Sequence, residues 1–183
     1  MEQPSWQVKA TYMVSFVSAA NAMGYLAPVR KKLDAATLEM IERPAARASW
    51  PGPQFIALLE AIEAHADKEA VRAVAIRCSR ERMGPVVKPL AGVLLSLAKV
   101  PMLALLSKLE HFVSAGVLGV ESKFEPHEGR PGGMVTFTFP QPVSAVMSAT
   151  WHGMFDVGFT LAKGGRIVSE HLAPRTHRFE VTW

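Results

Sequence analysis

The sequence contains very little cysteine and no long apolar run that is free of proline and charge. One Cys in 183 residues excludes a disulfide framework and a zinc finger built on cysteine pairs. No charged stretch followed by an apolar segment opens the chain, so we expect no secretion signal and a cytoplasmic location. The most apolar stretch, 86–106, carries Lys99 and Pro101, and it therefore predicts two helices meeting near residue 100 rather than a transmembrane helix.

The excess of positive over negative charge is also small. Lys and Arg total 20 against 16 Asp and Glu, which leaves a net charge of +4. A nucleic-acid-binding protein would usually show a basic stripe with aromatic residues or a reading helix, and neither is present, so we expect no nucleic-acid partner. The densest basic cluster indicates a solvated helix face, and it consists of Arg72, Arg77, Arg80, Arg82 and Lys88.

Helical periodicity dominates residues 11–115. Asp34 and Asp67 are predicted to cap helices, and 49–53 (Ser-Trp-Pro-Gly-Pro) predicts a turn. Cys78 lies in an apolar stripe, which favours a buried and inert thiol. A single helix is expected between residue 101 and Gly116, because six apolar residues fall within one narrow arc: Met102, Leu105, Leu106, Leu109, Phe112 and Val113.

The period changes to two after Gly116. Residues 118–124 and 135–139 alternate as a hairpin, and 166–172 and 176–183 alternate as a second one. Between them, Pro140 and Pro142 are expected to open a helix over 143–162. With no repeat or linker, the sequence predicts one α+β domain over 1–183, in which an N-terminal helical layer packs on a small four-stranded antiparallel sheet.

Four short segments carry a family resemblance. They are Val-Lys-Ala-Thr at 8–11, Trp50-Pro51 before a helix ending in Leu-Leu-Glu, Gly-Val-Leu-Gly at 116–119, and Arg-Phe-Glu-Val-Thr-Trp at 178–183. Together they resemble a myxobacterial paralogous family of proteins of this length whose function is uncharacterised. That family is similar in layout to heme-nitric-oxide/oxygen-binding domains and to four-vinyl-reductase-type domains.

The resemblance implies a sensory or regulatory module with a ligand cavity between helices and sheet, and no defined reaction. It does not extend to heme. Heme-binding relatives hold the propionates with a Tyr-x-Ser-x-Arg motif on the strand region after the helix of the proximal His. The corresponding stretch here is Val-Thr-Phe-Thr-Phe at 135–139, and Tyr12 and Tyr25 are the only tyrosines. We therefore expect no cofactor.

Histidine is the residue type that would carry chemistry here. His111 precedes the strands, but its helical phase places it on the polar face, and this position disfavours a role as heme ligand. His171 and His177 flank the last turn and are predicted to point to opposite faces, which disfavours a shared metal. His152 and Asp156 are expected to form a surface pair on one helix, with no nucleophile or metal to make them catalytic.

The sequence therefore supports two functions, neither of them enzymatic. The first is a sensory or regulatory module that binds an apolar small molecule through Phe137, Phe139, Trp151, Met154, His177 and Phe179, although these side chains could equally pack against one another. The second is a dimeric interaction or scaffold module without ligand, with an interface at Val93, Leu94 and Leu97. The expected partners are an apolar small molecule and a second copy or a signalling protein.

Overall fold

Eight helices and seven strands make up the part of the chain that the structure describes. It is a computed structural model and describes residues 5–96 and 101–183, with the side chains of 5–83 and 101–183. A short 3₁₀ turn, Arg30–Lys32, follows the second helix. The helices are α1 (Ala10–Ala22), α2 (Leu26–Val29), α3 (Ala35–Glu42), α4 (Gly52–His65), α5 (Lys68–Ser96), α6 (Pro101–Leu106), α7 (Leu109–Ser114) and α8 (Met147–Leu161).

The strands form two antiparallel sheets. A small sheet has the order β2-β1-β3 and is built from β1 (Gln7–Lys9), β2 (Ser49–Pro51) and β3 (Val117–Leu118). The larger sheet has the order β4-β5-β7-β6 and is built from β4 (Glu121–Pro126), β5 (Gly133–Thr138), β6 (Arg166–Ala173) and β7 (Thr176–Thr182). The predicted α+β class is confirmed, with helices dominating the first two thirds and two hairpins in the last third.

Aromatic packing joins α8 to the larger sheet. Phe137 on β5 stacks flat on Trp151 of α8, with ring centroids 4.0 Å apart and planes 7° apart. Phe179 on β7 meets Phe137 edge-on at 5.9 Å and Phe155 at 5.5 Å. Because Phe137 and Phe179 are fully buried, this layer is a filled core.

The opposite side of α8 packs on α5, and this is the most extensive contact between two helices of the described chain. Gly153 permits the close approach, because a Cβ there would lie 2.9 Å from the carbonyl oxygen of Arg72 and 2.7 Å from the Cβ of Ala75. One helical turn further, the Arg72 guanidinium donates to both carboxylate oxygens of Asp156, at 2.7 and 3.0 Å. Helix α8 is thus held from two sides.

The small sheet was not expected from the sequence. Residues 49–53, predicted as a turn, instead form β2 and the start of α4, because Trp50 lies opposite Val8 of β1. The strand predicted over 118–124 is also divided. Gly119 has a φ of +75°, which turns the chain from β3 in the small sheet to β4 in the larger one.

Helix α8 starts later than the prolines suggested. It begins at Met147, not at residue 143, because the preceding backbone is bound to the turn between β6 and β7. Phe139 N–H donates to the carbonyl oxygen of Arg175, and Val143 N–H donates to that of Pro174. These two hydrogen bonds hold residues 139–143 along the turn and delay the helix by four residues.

The helix expected between residue 101 and Gly116 consists of two six-residue helices, α6 and α7. At their junction Lys108 N–H bonds three residues back, to the carbonyl oxygen of Leu105. The Ser107 hydroxyl also donates to the carbonyl oxygen of Ala104. Such side-chain bonds to the backbone compete with helix propagation and explain the break. The predicted Asp34 and Asp67 caps are present, on the N–H groups of Thr37 and Ala70.

The most apolar stretch falls partly outside the described residues. Within the described helices, none combines the length and the apolar character that crossing a membrane requires. The predicted interface residue Leu97 lies outside the described residues, and Val93 and Leu94 lie outside the described side chains. That interface stays a prediction.

We expect Gly153→Ala to lower the free energy of unfolding by about 1–3 kcal/mol, because the new methyl group would overlap the backbone of α5. Gly164→Ala is the matched control, since nothing lies within 4 Å of its Cβ and its φ is not positive. Urea unfolding of both variants and the wild type measures the difference. Equal midpoints for the two variants would contradict the close helix contact.

Candidate functional site

An apolar cavity of about 350 Å³ lies beside α8, between this helix and the pair α6 and α7. Helices α6 and α7 form the facing wall, and α1, α4 and α5 contribute its floor. The residues after α7 complete it through Ala115, Gly116 and Val117. The α8 wall consists of Met147, Thr150, Trp151, Met154, Phe155, Val157, Gly158, Phe159 and Leu161.

The facing wall consists of the six residues whose spacing placed them on one arc: Met102, Leu105, Leu106, Leu109, Phe112 and Val113. The break between α6 and α7 leaves these side chains on a common surface. The exposed fraction of Phe112 is 49%, although its side chain lines the cavity, so the cavity opens to solvent beside α7. Gly158 allows α6 to approach, because a Cβ there would lie 2.8 Å from Leu105 Cδ2.

Arg82 is the one charged residue of the described lining. Its Nη2 donates to the carbonyl oxygen of Ala115 at 3.0 Å, and its guanidinium carbon lies 5.1 Å from the centre of the Tyr12 ring. Its Nη1 is buried and has no hydrogen-bond partner. The prediction that the basic cluster forms a solvated face is therefore wrong for Arg82, and also for Arg72, which binds Asp156.

A second residue of the lining has an unpaired buried donor. Trp151 is 4% exposed, and its indole N–H has no partner. The Thr150 hydroxyl, another polar group of the lining, donates to the carbonyl oxygen of Met147. Burial raises the pKa of Tyr12 well above 10, so this phenol stays protonated at neutral pH. The cavity thus combines apolar walls with one cationic side chain, that of Arg82.

The cavity accounts for two of the six ligand-binding residues predicted from the sequence. Trp151 and Met154 line it. Phe137, Phe139, Phe179 and His177 lie in the aromatic layer on the other side of α8, where each is at most 2% exposed. Their rings pack against one another. The stacking of Phe137 on Trp151 leaves no space for a ligand between this layer and α8 at that point. Trp151 belongs to both surfaces, and so does Phe155, which lines the cavity and contacts Phe179.

His177 is the polar member of that layer. It lies opposite Phe137 in the sheet register, and its ring meets Phe139 edge-on with centroids 5.3 Å apart. Its Nδ1 has no partner, and burial lowers its pKa from 6.5 to about 4, against a smaller opposing effect of Glu170. His177 is therefore neutral at physiological pH.

The remaining histidines do not form a shared site. His171 lies opposite Arg178 and is exposed, so it and the buried His177 point to opposite faces, as the register predicted. The expected His152–Asp156 pair is wrong: His152 Nε2 lies 2.8 Å from Glu170 Oε2, while Asp156 binds Arg72. Within the described residues, no three His, Cys, Asp or Glu side chains lie close enough to hold a metal ion.

The fold of this chain is that of H-NOX domains. The Fe(II) unliganded H-NOX protein from K. algicida matches with a TM-score of 0.62 and 12% identity over 95% of both chains. An oxygen-binding H-NOX domain related to soluble guanylate cyclases, in its oxygen complex, matches with a TM-score of 0.58 and 9% identity over 94% of this chain and 92% of that chain. No protein-family model and no curated protein sequence matches the chain. The likeness establishes the fold and not the ligand.

The described residues do not fit a heme. Iron in heme proteins takes an imidazole, a thiolate or a tyrosinate as its characteristic axial ligand, and methionine binds it alongside a histidine. None of the six histidines lines the cavity, His111 is exposed, and Cys78 is buried outside the lining. Tyr12 lines it, and burial raises the pKa of this phenol, which disfavours the tyrosinate that would bind iron. The described cavity therefore has neither an imidazole nor a thiolate, and its one phenol is costly to ionise.

The pH dependence of stability tests the burial of His177. Between pH 7 and pH 4 the unfolded chain takes up a proton at this residue that the folded protein does not, so the free energy of unfolding should fall as pH drops, by on the order of 2 kcal/mol. His177→Leu should make this dependence shallower, because the apolar side chain removes the proton uptake. Chemical denaturation at several pH values measures both slopes, and identical slopes would show that His177 is not buried and neutral.

Hemin titration tests the absence of an axial ligand. Wild-type protein and His111→Ala should give the same absorption spectrum, without the Soret band of a histidine-ligated heme, because His111 points to solvent. A Soret band in the wild type that His111→Ala abolishes would overturn this conclusion.

Proposed function

We propose that this chain is a non-enzymatic sensory or regulatory module that binds an apolar small molecule in the cavity between α8 and the α6–α7 wall. The observation that carries the proposal is the cavity itself, with a volume of about 350 Å³ and an opening beside Phe112. Small-molecule sites are concave and mostly apolar, with a few polar groups, and usually have volumes of about 300–1,000 Å³. The H-NOX fold is consistent with a ligand-binding module.

The composition of the walls favours an adaptable site. Four methionines line the cavity: Met83, Met102, Met147 and Met154. Methionine is unbranched and flexible, so it adjusts to ligands of different shape at low cost. Burying an apolar ligand here is worth about 0.8 kcal/mol for each methylene group.

The α6–α7 wall would couple ligand binding to partner binding, because it has the cavity on its inner side and an exposed surface on its outer side. Helices of six residues are not stable alone, so α6 and α7 depend on their packing for their position. A ligand in the cavity adds to that packing on their inner side. Leu103 is exposed on their outer side and Phe112 at the cavity opening, and we propose that this surface contacts a signalling protein when the cavity is filled.

Displacement of the fluorescent probe N-phenyl-1-naphthylamine tests the proposed function. The wild type should bind the probe, and 1-decanol should displace it. Met154→Trp should weaken binding of both at least ten-fold, because the larger side chain fills part of the cavity.

Val168→Trp is the matched control. Val168 is exposed on β6, away from the cavity, so the same added bulk should leave binding unchanged. Trp151 reports the same event, since it is the one tryptophan in the described lining: decanol should shift the emission of the wild type and not that of Trp151→Phe. Equal loss of probe binding in Met154→Trp and Val168→Trp would contradict a site in this cavity.

A further inference from the structure

The unpaired charge of Arg82 restricts which apolar molecules suit the cavity. Among the described residues, Arg82 has no carboxylate within 4 Å, and the neighbouring Glu81 is bound to Arg77 at 2.8 Å. No acidic residue belongs to the described lining. A buried guanidinium nitrogen without a partner is costly, because it has lost its water and gained no acceptor. Arg82 itself lines the cavity, so a ligand there lies beside its side chain.

We propose that the ligand is an amphipathic carboxylate, with its apolar chain between α8 and the α6–α7 wall and its carboxylate on the guanidinium of Arg82. This inference rests on the proposed function and specifies its ligand class. Arg82 is the one charged residue of the described lining and its guanidinium carries only donors, so the complementary head group is an acceptor. A carboxylate carries only acceptors and the opposite charge, and its charge-assisted hydrogen bond is about twice as strong as a neutral one.

Arg82 is already oriented for this role. Its Nη2 is held by the carbonyl oxygen of Ala115, and its guanidinium lies over the Tyr12 ring. Two contacts from different parts of the chain therefore fix the guanidinium plane before a ligand arrives. A preoriented donor loses less conformational entropy on binding than a free side chain does.

The test compares three ligands of equal chain length: decanoate, 1-decanol and decylamine. Their dissociation constants are measured by calorimetry at pH 8, where decanoate is ionised. The wild type should bind decanoate about ten-fold or more tightly than decanol, and decylamine most weakly, because Arg82 attracts the anion and repels the cation. Octanoate should bind more weakly than decanoate, by about four-fold for each methylene removed.

Arg82→Met separates the charge from the apolar part of the site. The variant should lose the preference for decanoate and keep its affinity for decanol, whereas Arg77→Met should behave as the wild type does. Arg82→Lys keeps the charge without the fork of donors, and it should retain part of the preference; this variant covers the case in which Arg82→Met unfolds.

Three outcomes would overturn the inference. Equal binding of decanoate and decanol to the wild type would leave the proposed function intact but would show that the site does not select a carboxylate. Equal weakening of both ligands by Arg82→Met, with a normal unfolding midpoint, assigns Arg82 to the shape of the cavity rather than to the head group. Binding of neither ligand overturns both the inference and the proposed function.

Discussion

The position of α8 is the constraint on which the remaining structure depends. Trp151 stacks on Phe137 at 4.0 Å on one side, and Gly153 allows backbone contact with α5 on another. Both contacts are close and both are buried, so α8 cannot move towards either neighbour without overlap. Its third side faces α6 and α7, and there the packing is incomplete. The cavity is therefore a consequence of where α8 is fixed, and not of loose packing throughout the core.

The two sides of α8 differ in packing: the side facing the larger sheet is filled by aromatic rings, and the side facing α6 and α7 lines a cavity. Towards the sheet, large aromatic rings fill the layer, and His177 Nδ1 is buried among them without a hydrogen-bond partner. Towards α6 and α7, four Met and four Leu line the cavity beside its aromatic residues, and these flexible side chains leave an adaptable space. Trp151 belongs to both sides, so it connects the filled layer to the cavity.

The charges of α5 show how the same residue type acquires different roles. Arg77 pairs with Glu81 in solvent, where such pairs contribute little. Arg72 crosses to Asp156 and ties α5 to α8. Arg82 reaches the cavity, binds one backbone carbonyl and retains an unpaired donor. In sequence these three arginines form one basic cluster, and their spacing does not distinguish them. What distinguishes them is the element that each one faces.

Periodicity and capping signals alone determined the α+β class, the two hairpins, the helix caps at Asp34 and Asp67, the exposure of His111 and the opposite faces of His171 and His177. These features depend on residues near in sequence, or on a register that a short turn fixes. Periodicity also predicted that Met102 to Val113 share one arc, but it did not predict that this arc faces a cavity. Only the tertiary structure decided the small sheet, the late start of α8, the break at Ser107 and the location of the cavity. Each depends on pairing between distant segments, such as Val8 with Trp50 or Arg82 with Ala115, and local periodicity carries no information about such pairs.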